Sequence, residues 1–354
     1  MLDLTESNPT RAEFAYPQDQ ILAALASPEA LRYDPDPRGL ASAREAVSQY
    51  YAERGAAVDP ARIILTASTS EAYAYVFKLL CDPGDEVLVP RPSYPLFDYL
   101  AAMESVRVKQ YPLRYDGGWH IDLPALAAAV SPSTKALAIV NPNNPTGSFL
   151  KREEWARIKE LGVPVISDEV FADFTFAPDG SRVATLADSR SVLTFTVSGL
   201  SKIAGLPQMK LGWIVAGGPR YEAALDGLEW IADTFLSVGT AVQLALPELL
   251  NAGNMVRAQV LERTRTNLAL LRNAAGPSSP ARVLNVEGGW YATLQVPSTR
   301  TEEQWALDLL AADDVLIQPG FFYDFESEAF LVLSLLTPPD VFQNGIHRIL
   351  ARIG

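Results

Sequence analysis

A mostly parallel α/β architecture is what three features of this 354-residue chain predict. Short apolar, β-branched runs alternate with stretches at helical spacing, the pattern of strand–helix–strand units. Four of those runs end directly in polar residues, as strands do when their carboxyl ends gather around a ligand in a parallel sheet. The composition, 48% hydrophobic and 20% charged, is that of a globular protein with enough chain for one large domain or two.

Charge and composition also remove function classes. A net charge of −13 disfavours nucleic-acid and anionic-membrane partners. The single cysteine, Cys81, excludes an intrachain disulfide framework, and His120 and His347 lie too far apart for zinc spacing, so no metal site is expected. No apolar run reaches membrane-spanning length. The start, Met-Leu-Asp-Leu-Thr-Glu-Ser, has neither a basic opening nor an apolar core of a signal peptide. The cytoplasm is the expected compartment.

Each element has its own signal. Residues 1 to about 30 are irregular and marked by Pro9, Pro17 and Pro28, with a helical patch from Gln18 to Ala26. Tyr33 to Gly39 holds two prolines that fix φ, making a rigid turn, and Leu40 to Arg54 follows at helical spacing. Arg62 to Thr66 is a strand, and a helix opens at Ala67-Ser68-Thr69-Ser70-Glu71 and runs to about Leu80. Glu86 to Val89, Lys135 to Val140, Val163 to Ser167, Ser191 to Val197 and Ile214 to Ala216 read as further strands, with a charged helix from Lys151 to Leu161. A mostly helical region runs from about Arg220 to Asn273, then Gly276 to Pro280 breaks the chain. The remainder, with strands near 282–286, 291–296, 315–318 and 330–334 and helices near 301–311 and 341–352, is a smaller α+β unit.

The four polar strand ends are Ser68/Thr69/Ser70, Asn144, Asp168 and Lys202. Singly, each has a plain reading: Ser68 and Glu71 have capping-box spacing, Asp168-Glu169 suits a solvated turn, and Lys202 suits a surface loop. Together they are an anion site at a helix N-terminus, an amide donor, a carboxylate and an amine, with the ring of Tyr94 on a proline-stiffened loop nearby. A pyridinium-type cofactor bearing an aldehyde, a phenolic oxygen and a phosphate needs that set.

Over nearly its whole length the sequence resembles the fold type I, pyridoxal-phosphate-dependent aminotransferases of classes I and II. The matching residues are Tyr33 with Gly39, Ser68 to Ala72, Pro92-Ser93-Tyr94, Asn141 to Gly147, Ser167-Asp168-Glu169, and Gly199 to Lys202 with Gly205-Leu206. The resemblance implies a three-layer large domain over 35–255 and a small domain from 1–34 and 256–354. It implies that Lys202 forms the Schiff base with pyridoxal 5'-phosphate and shuttles the proton, and that Asp168 pairs with the pyridine nitrogen. Tyr94 would stack on the ring and Asn144 would bond the phenolic oxygen. Ser68, Thr69, Ser70, Ser201 and Lys210 would hold the phosphate, and Tyr33 would reach the phosphate site of the partner subunit in a homodimer. The implied reaction moves an amino group from an L-amino acid to a 2-oxo acid.

Three positions depart from the resemblance. Lys210 stands where an arginine usually forks onto the phosphate, keeping the charge and losing the bidentate geometry. Phe171 stands where a tyrosine usually bonds the phenolic oxygen. Val332 stands where an arginine usually binds the substrate carboxylate. Arg11, ahead of Arg38, is the expected replacement, and Trp290-Tyr291 with Phe321 to Tyr323 are expected on the substrate side. The missing arginine keeps a β-lyase or decarboxylase open as the alternative enzyme, and a non-catalytic sensor as the alternative of another class.

Overall fold

The computed structural model describes all 354 residues. Its centre is an eight-stranded sheet: β1 (Ile63–Thr66), β2 (Glu86–Arg91), β3 (Arg107–Tyr115), β4 (Trp119–Ile121), β5 (Thr134–Val140), β6 (Val165–Asp168), β7 (Thr194–Gly199) and β8 (Gly212–Gly217). The spatial order is β1-β8-β7-β6-β5-β2-β3-β4. The run β7-β6-β5-β2-β3 is parallel throughout, whereas β8 lies antiparallel between β1 and β7, and β4 closes the far edge as a hairpin with β3. The mostly parallel sheet read from the sequence is therefore present, with two antiparallel strands in it.

Alternation along the strands sets the layers. Ile64, Ala138, Ile166, Phe195 and Ile214 face a layer that contains the Thr69–Leu80 and Tyr221–Phe235 helices. Their neighbours in sequence, Leu65, Ile139, Val165 and Trp213, face the other side, where the Ala41–Ala52 and Thr240–Ala274 helices pack. Strands β7 and β8 are buried along all six residues each, which is why they read as unbroken apolar runs.

The helical region after Arg220 is two helices, Tyr221–Phe235 and Thr240–Ala274. The second is 35 residues long and runs unbroken through position 255, so the expected boundary between large and small units falls inside a helix. The C-terminal unit is a four-stranded antiparallel sheet ordered Arg282–Val283, Tyr291–Gln295, Phe330–Ser334, Gln318–Pro319. The N-terminus joins it: Leu2–Asp3 pairs in parallel with Val315–Leu316, and the Leu4 carbonyl accepts from the Ser334 N–H at 2.8 Å. No helix is long and apolar enough to cross a membrane.

Candidate active site

Register brings the polar strand ends together. Val140 pairs with Asp168, Asp168 with Val197, Gly199 with Gly212, and Gly212 with Thr66, so four loops leave the sheet at one level. The backbones there touch. A Cβ on Gly212 would lie 3.0 Å from the Ser198 carbonyl oxygen and 3.2 Å from the Ser68 carbonyl carbon, so a side chain there would press the Ser68 and Ser198 backbones apart.

At this level the Thr69–Leu80 helix begins. Ser68 caps it, its hydroxyl accepting the Glu71 N–H at 3.2 Å. The Glu71 carboxylate takes the Ala67 N–H instead of returning to Ser68, so the expected capping box is half formed. Helix geometry leaves the N–H groups of Thr69 and Ser70 without backbone acceptors, and the helix dipole adds positive potential beside them. Lys210 is exposed nearby in sequence to Gly212, in a left-handed conformation at φ 52°.

The Asn141–Gly147 loop sorts three asparagines. Asn141 is wired to the Val183 carbonyl and the Leu150 N–H, and Asn143 to the Pro92 carbonyl, Ser93 and Thr146. Asn144 is buried too, yet its Oδ1 has no partner. A buried amide left unpaired is costly, and two neighbours show that the loop can satisfy such groups. The open atom is an acceptor, so a phenolic oxygen would have to be met by the Asn144 Nδ2 rather than by this Oδ1.

Asp168 is raised to about 6 by burial, held from rising further by the Val170 N–H, the Tyr73 hydroxyl and the charge of Lys202. Its neighbour Glu169 faces the other way, bonded by Thr185, the Leu186 N–H and Ser167, and burial raises it to about 7. Burial lowers the Lys202 ammonium, with Asp168 pulling in the opposite sense. The Lys202 Nζ lies 5.0 Å from the centre of the Trp290 ring and 5.8 Å from that of Phe171. The Tyr94 phenol is pushed up by burial and by the Asp168 charge.

A phosphate needs free N–H groups, an aldehyde needs an uncharged amine, a protonated ring nitrogen needs a buried carboxylate, and a phenolic oxygen needs a donor. The loops around Ser68, Lys202, Asp168 and Asn144 offer one of each, so the residues fit pyridoxal phosphate. Tyr73, whose hydroxyl donates to Asp168 Oδ2 at 3.1 Å, was not singled out from the sequence. Its signal was there: it lies four residues after Thr69 and three after Ser70, on one helix face with them.

The substrate side differs. Val332 is fully buried, with Thr293 and Gln318 directly opposite it on the flanking strands. Thr293 Oγ1 and Trp290 Nε1 are buried without partners, and the Tyr323 hydroxyl donates to Gln318 Oε1. Trp290 packs edge-on to Phe171 at 5.3 Å and Phe174 at 5.1 Å, so it is a core residue with a ring face toward Lys202. Arg38 bonds Glu229 at 2.6 Å and the Ala61 carbonyl at 3.2 Å, which ties it to the Tyr221–Phe235 helix. Arg11 is exposed, and Tyr33 is 79% exposed.

Comparison with known proteins agrees with this geometry. The sequence profile of the family described as aminotransferase class I and II matches residues 1–349. The glutamate-pyruvate aminotransferase AlaA of Haemophilus influenzae is 28% identical over 359 residues, covering 95% of this chain and 86% of that protein. An S-alkyl-thiohydroximate lyase of Arabidopsis thaliana is 31% identical over 242 residues, 66% of this chain and 52% of that one. Among solved structures, an alanine aminotransferase from Pyrococcus furiosus superposes with a TM-score of 0.89 at 23% identity, over 99% of this chain and 92% of the other. The match from end to end, on a fold whose strand ends carry the cofactor's chemical requirements, places this chain in the aminotransferase class I and II family, as a pyridoxal-phosphate-dependent transferase of amino groups.

Proposed function

We propose that Lys202 is the amine that bonds the cofactor covalently and Asp168 the counter-charge of its ring nitrogen, in a transamination between an L-amino acid and a 2-oxo acid. The observation that carries this reading is the strand register, which brings the half-buried Asp168 and the loop of Lys202 to one end of the sheet, where Asn144 is the loop asparagine with an unpaired atom. Bound there, pyridoxal phosphate supplies an electron sink for the electrons of a bond broken at the substrate's α-carbon. The protein's part is to hold and move protons. Lys202 Nζ, kept uncharged by burial, would take the proton from the α-carbon and return it. Asp168 would stay ionised against the ring nitrogen, the Asn144 Nδ2 would donate to the phenolic oxygen, and Tyr94 would cover one ring face. Ser68, Thr69, Ser70 and Ser201 hold the phosphate with Lys210.

Arg11, rather than the engaged Arg38, is assigned to the substrate carboxylate, and Trp290 lines the pocket beside Lys202. Residues 35–255 form the cofactor unit, and 1–34 with 256–354 the unit that closes on it; the pairing of Leu2–Asp3 with Val315–Leu316 supports joining the chain ends. Tyr33, exposed on its proline-fixed loop, completes the partner's phosphate site in a homodimer. The cytoplasm is the proposed compartment, since a single cysteine provides no intrachain disulfide that would call for an oxidising one.

Val332 gives the lyase and decarboxylase reading its one specific observation, and a single experiment separates them. Amino acids are added singly to the cofactor-loaded protein while the visible band is followed. Transamination bleaches the band with one donor, and a 2-oxo acid restores it. Pyruvate and ammonia released without acceptor, or carbon dioxide, assigns the other reactions. No band and no adduct on Lys202 after hydride reduction overturns the site.

A further inference from the structure

We propose that Tyr73 is a positioning residue for the cofactor: its hydroxyl holds the Asp168 carboxylate in the ionised form and aims it at the ring nitrogen. This rests on the reading of Asp168 given above and adds a second residue behind it.

The placement starts in the sequence. The helix that opens with Ser68, Thr69 and Ser70 carries Tyr73 one turn later, so one helix presents N–H groups at its start and a phenol to the carboxylate a turn deeper. Tyr73 is 3% exposed, and its ring is boxed edge-on by Phe97 at 5.5 Å and at a tilt by Phe77 at 5.9 Å. That packing fixes where the hydroxyl points, and it donates to Asp168 Oδ2 at 3.1 Å. The other carboxylate oxygen, Oδ1, accepts the Val170 N–H at 3.2 Å. Each oxygen is thus held once, which sets the plane of the carboxylate and leaves each a lone pair for another donor.

A phenylalanine would fill the same aromatic box. The hydroxyl has its reason in Asp168, because a buried phenol without a partner is destabilising. Burial and the Asp168 charge push the Tyr73 phenol well above its ordinary range, so it remains a donor wherever the protein is folded. The chemical consequence is directional. A hydrogen bond to the charged form favours that form, so removing it makes Asp168 harder to ionise.

The test uses cofactor binding rather than turnover. Cofactor-free wild type and Tyr73→Phe are titrated with pyridoxal phosphate, followed by absorption, from about pH 5.5 to about pH 8.5. The expected result is about tenfold weaker binding at neutral pH in the variant, the worth of one hydrogen bond to a charged group. The pH at which binding strengthens moves upward as well. In the Asp168→Asn background the same substitution has no effect. Equal affinity and an equal pH midpoint in wild type and Tyr73→Phe overturn the proposal, as does an equal loss in both backgrounds. Wild type that binds no cofactor overturns the site reading itself, and the tyrosine's role with it. Should the phenylalanine variant melt too low to titrate, 3-fluorotyrosine placed at position 73 keeps the ring and strengthens the donor. It is expected to lower the midpoint, and an unmoved midpoint is equally fatal.

Discussion

The two walls of the site are made on different terms. On the wall formed by the central sheet, polar groups are ordered by strand ends, and each is either fully bonded or open at one atom. Asn141 and Asn143 are closed while Asn144 is open, and Asp168 has one donor on each oxygen. On the wall formed by the C-terminal sheet, the open groups are neutral, Thr293 and Trp290, and they flank a valine. A cofactor presents the same atoms in every turnover, so fixed charges suit it. In the reading proposed above the substrate meets the second wall, and with a valine at position 332 its carboxylate is assigned to Arg11, outside the sheet.

The sharpest way to break the first half of that contrast is Asp168→Asn. The Asp168 carboxyl is raised from 3.8 to about 6 in the folded chain, so it binds its proton more tightly folded than unfolded. Its contribution to stability is whole below about pH 4 and is lost as pH rises through about 6. Above that, the cofactor-free wild type carries a buried negative charge that the asparagine variant lacks. The variant without cofactor is expected to be more stable at pH 8, by up to about 3 kcal/mol, with the difference vanishing near pH 4. Its affinity for pyridoxal phosphate falls about a hundredfold, since the ring nitrogen loses its counter-charge. Thermal melts across that pH range with cofactor titrations measure both. A variant that is less stable and binds cofactor normally would make Asp168 an ordinary structural carboxylate.

Arg11→Ala addresses the other wall. Arg11 sits in a loop tied by its own N–H to the Asn8 carbonyl at 3.0 Å, just ahead of Ala12 and Phe14, which are buried in the same core cluster as Trp290 and Val332. The side chain is exposed while its flank is anchored, a suitable base for a residue that meets ligand from outside the sheet. The expected outcome is a KM for the amino donor raised about tenfold, with the cofactor's visible spectrum unchanged. An unchanged KM would return the carboxylate to the neutral donors around Val332 or remove it from the substrate.

The same contrast decided what could be read in advance. The gathering of the Asn144, Asp168 and Lys202 segments at one end of the sheet was legible because each lies at or shortly after the end of an apolar run, so position along the chain gave position in the sheet. The stretch from 96 to 134 was left unassigned, and it holds the Phe97–Met103 and Leu123–Ala129 helices and the β3–β4 hairpin. Strand β3 lies near the sheet edge and is half exposed, with Arg107, Lys109 and Gln110 breaking any apolar run. Tyr73 was missed for a different reason. Its partner is 95 residues away, and aromatic residues on a helix read as core until the carboxylate is seen beside the hydroxyl.

Phe171→Tyr is the finest probe, because it adds one donor at the seam between the walls. The Phe171 ring is 4% exposed, edge-on to Trp290 at 5.3 Å and to Tyr291 at 6.4 Å, with Lys202 Nζ 5.8 Å from its centre. A phenol there adds a donor near Lys202 Nζ, the amine proposed to bond the cofactor, and donors to the cofactor's phenolic oxygen favour its anionic form. The midpoint of the visible band's pH titration is expected to fall by about one unit, one hydrogen bond to a charged group. Stability reports where the new hydroxyl goes. If it finds the cofactor, the loaded protein melts as wild type does, while the cofactor-free form is weakened by about 1–2 kcal/mol through a buried hydroxyl without a partner. Coincident titrations in the two proteins would mean that Asn144 already satisfies that oxygen, and that the aromatic seam serves packing alone.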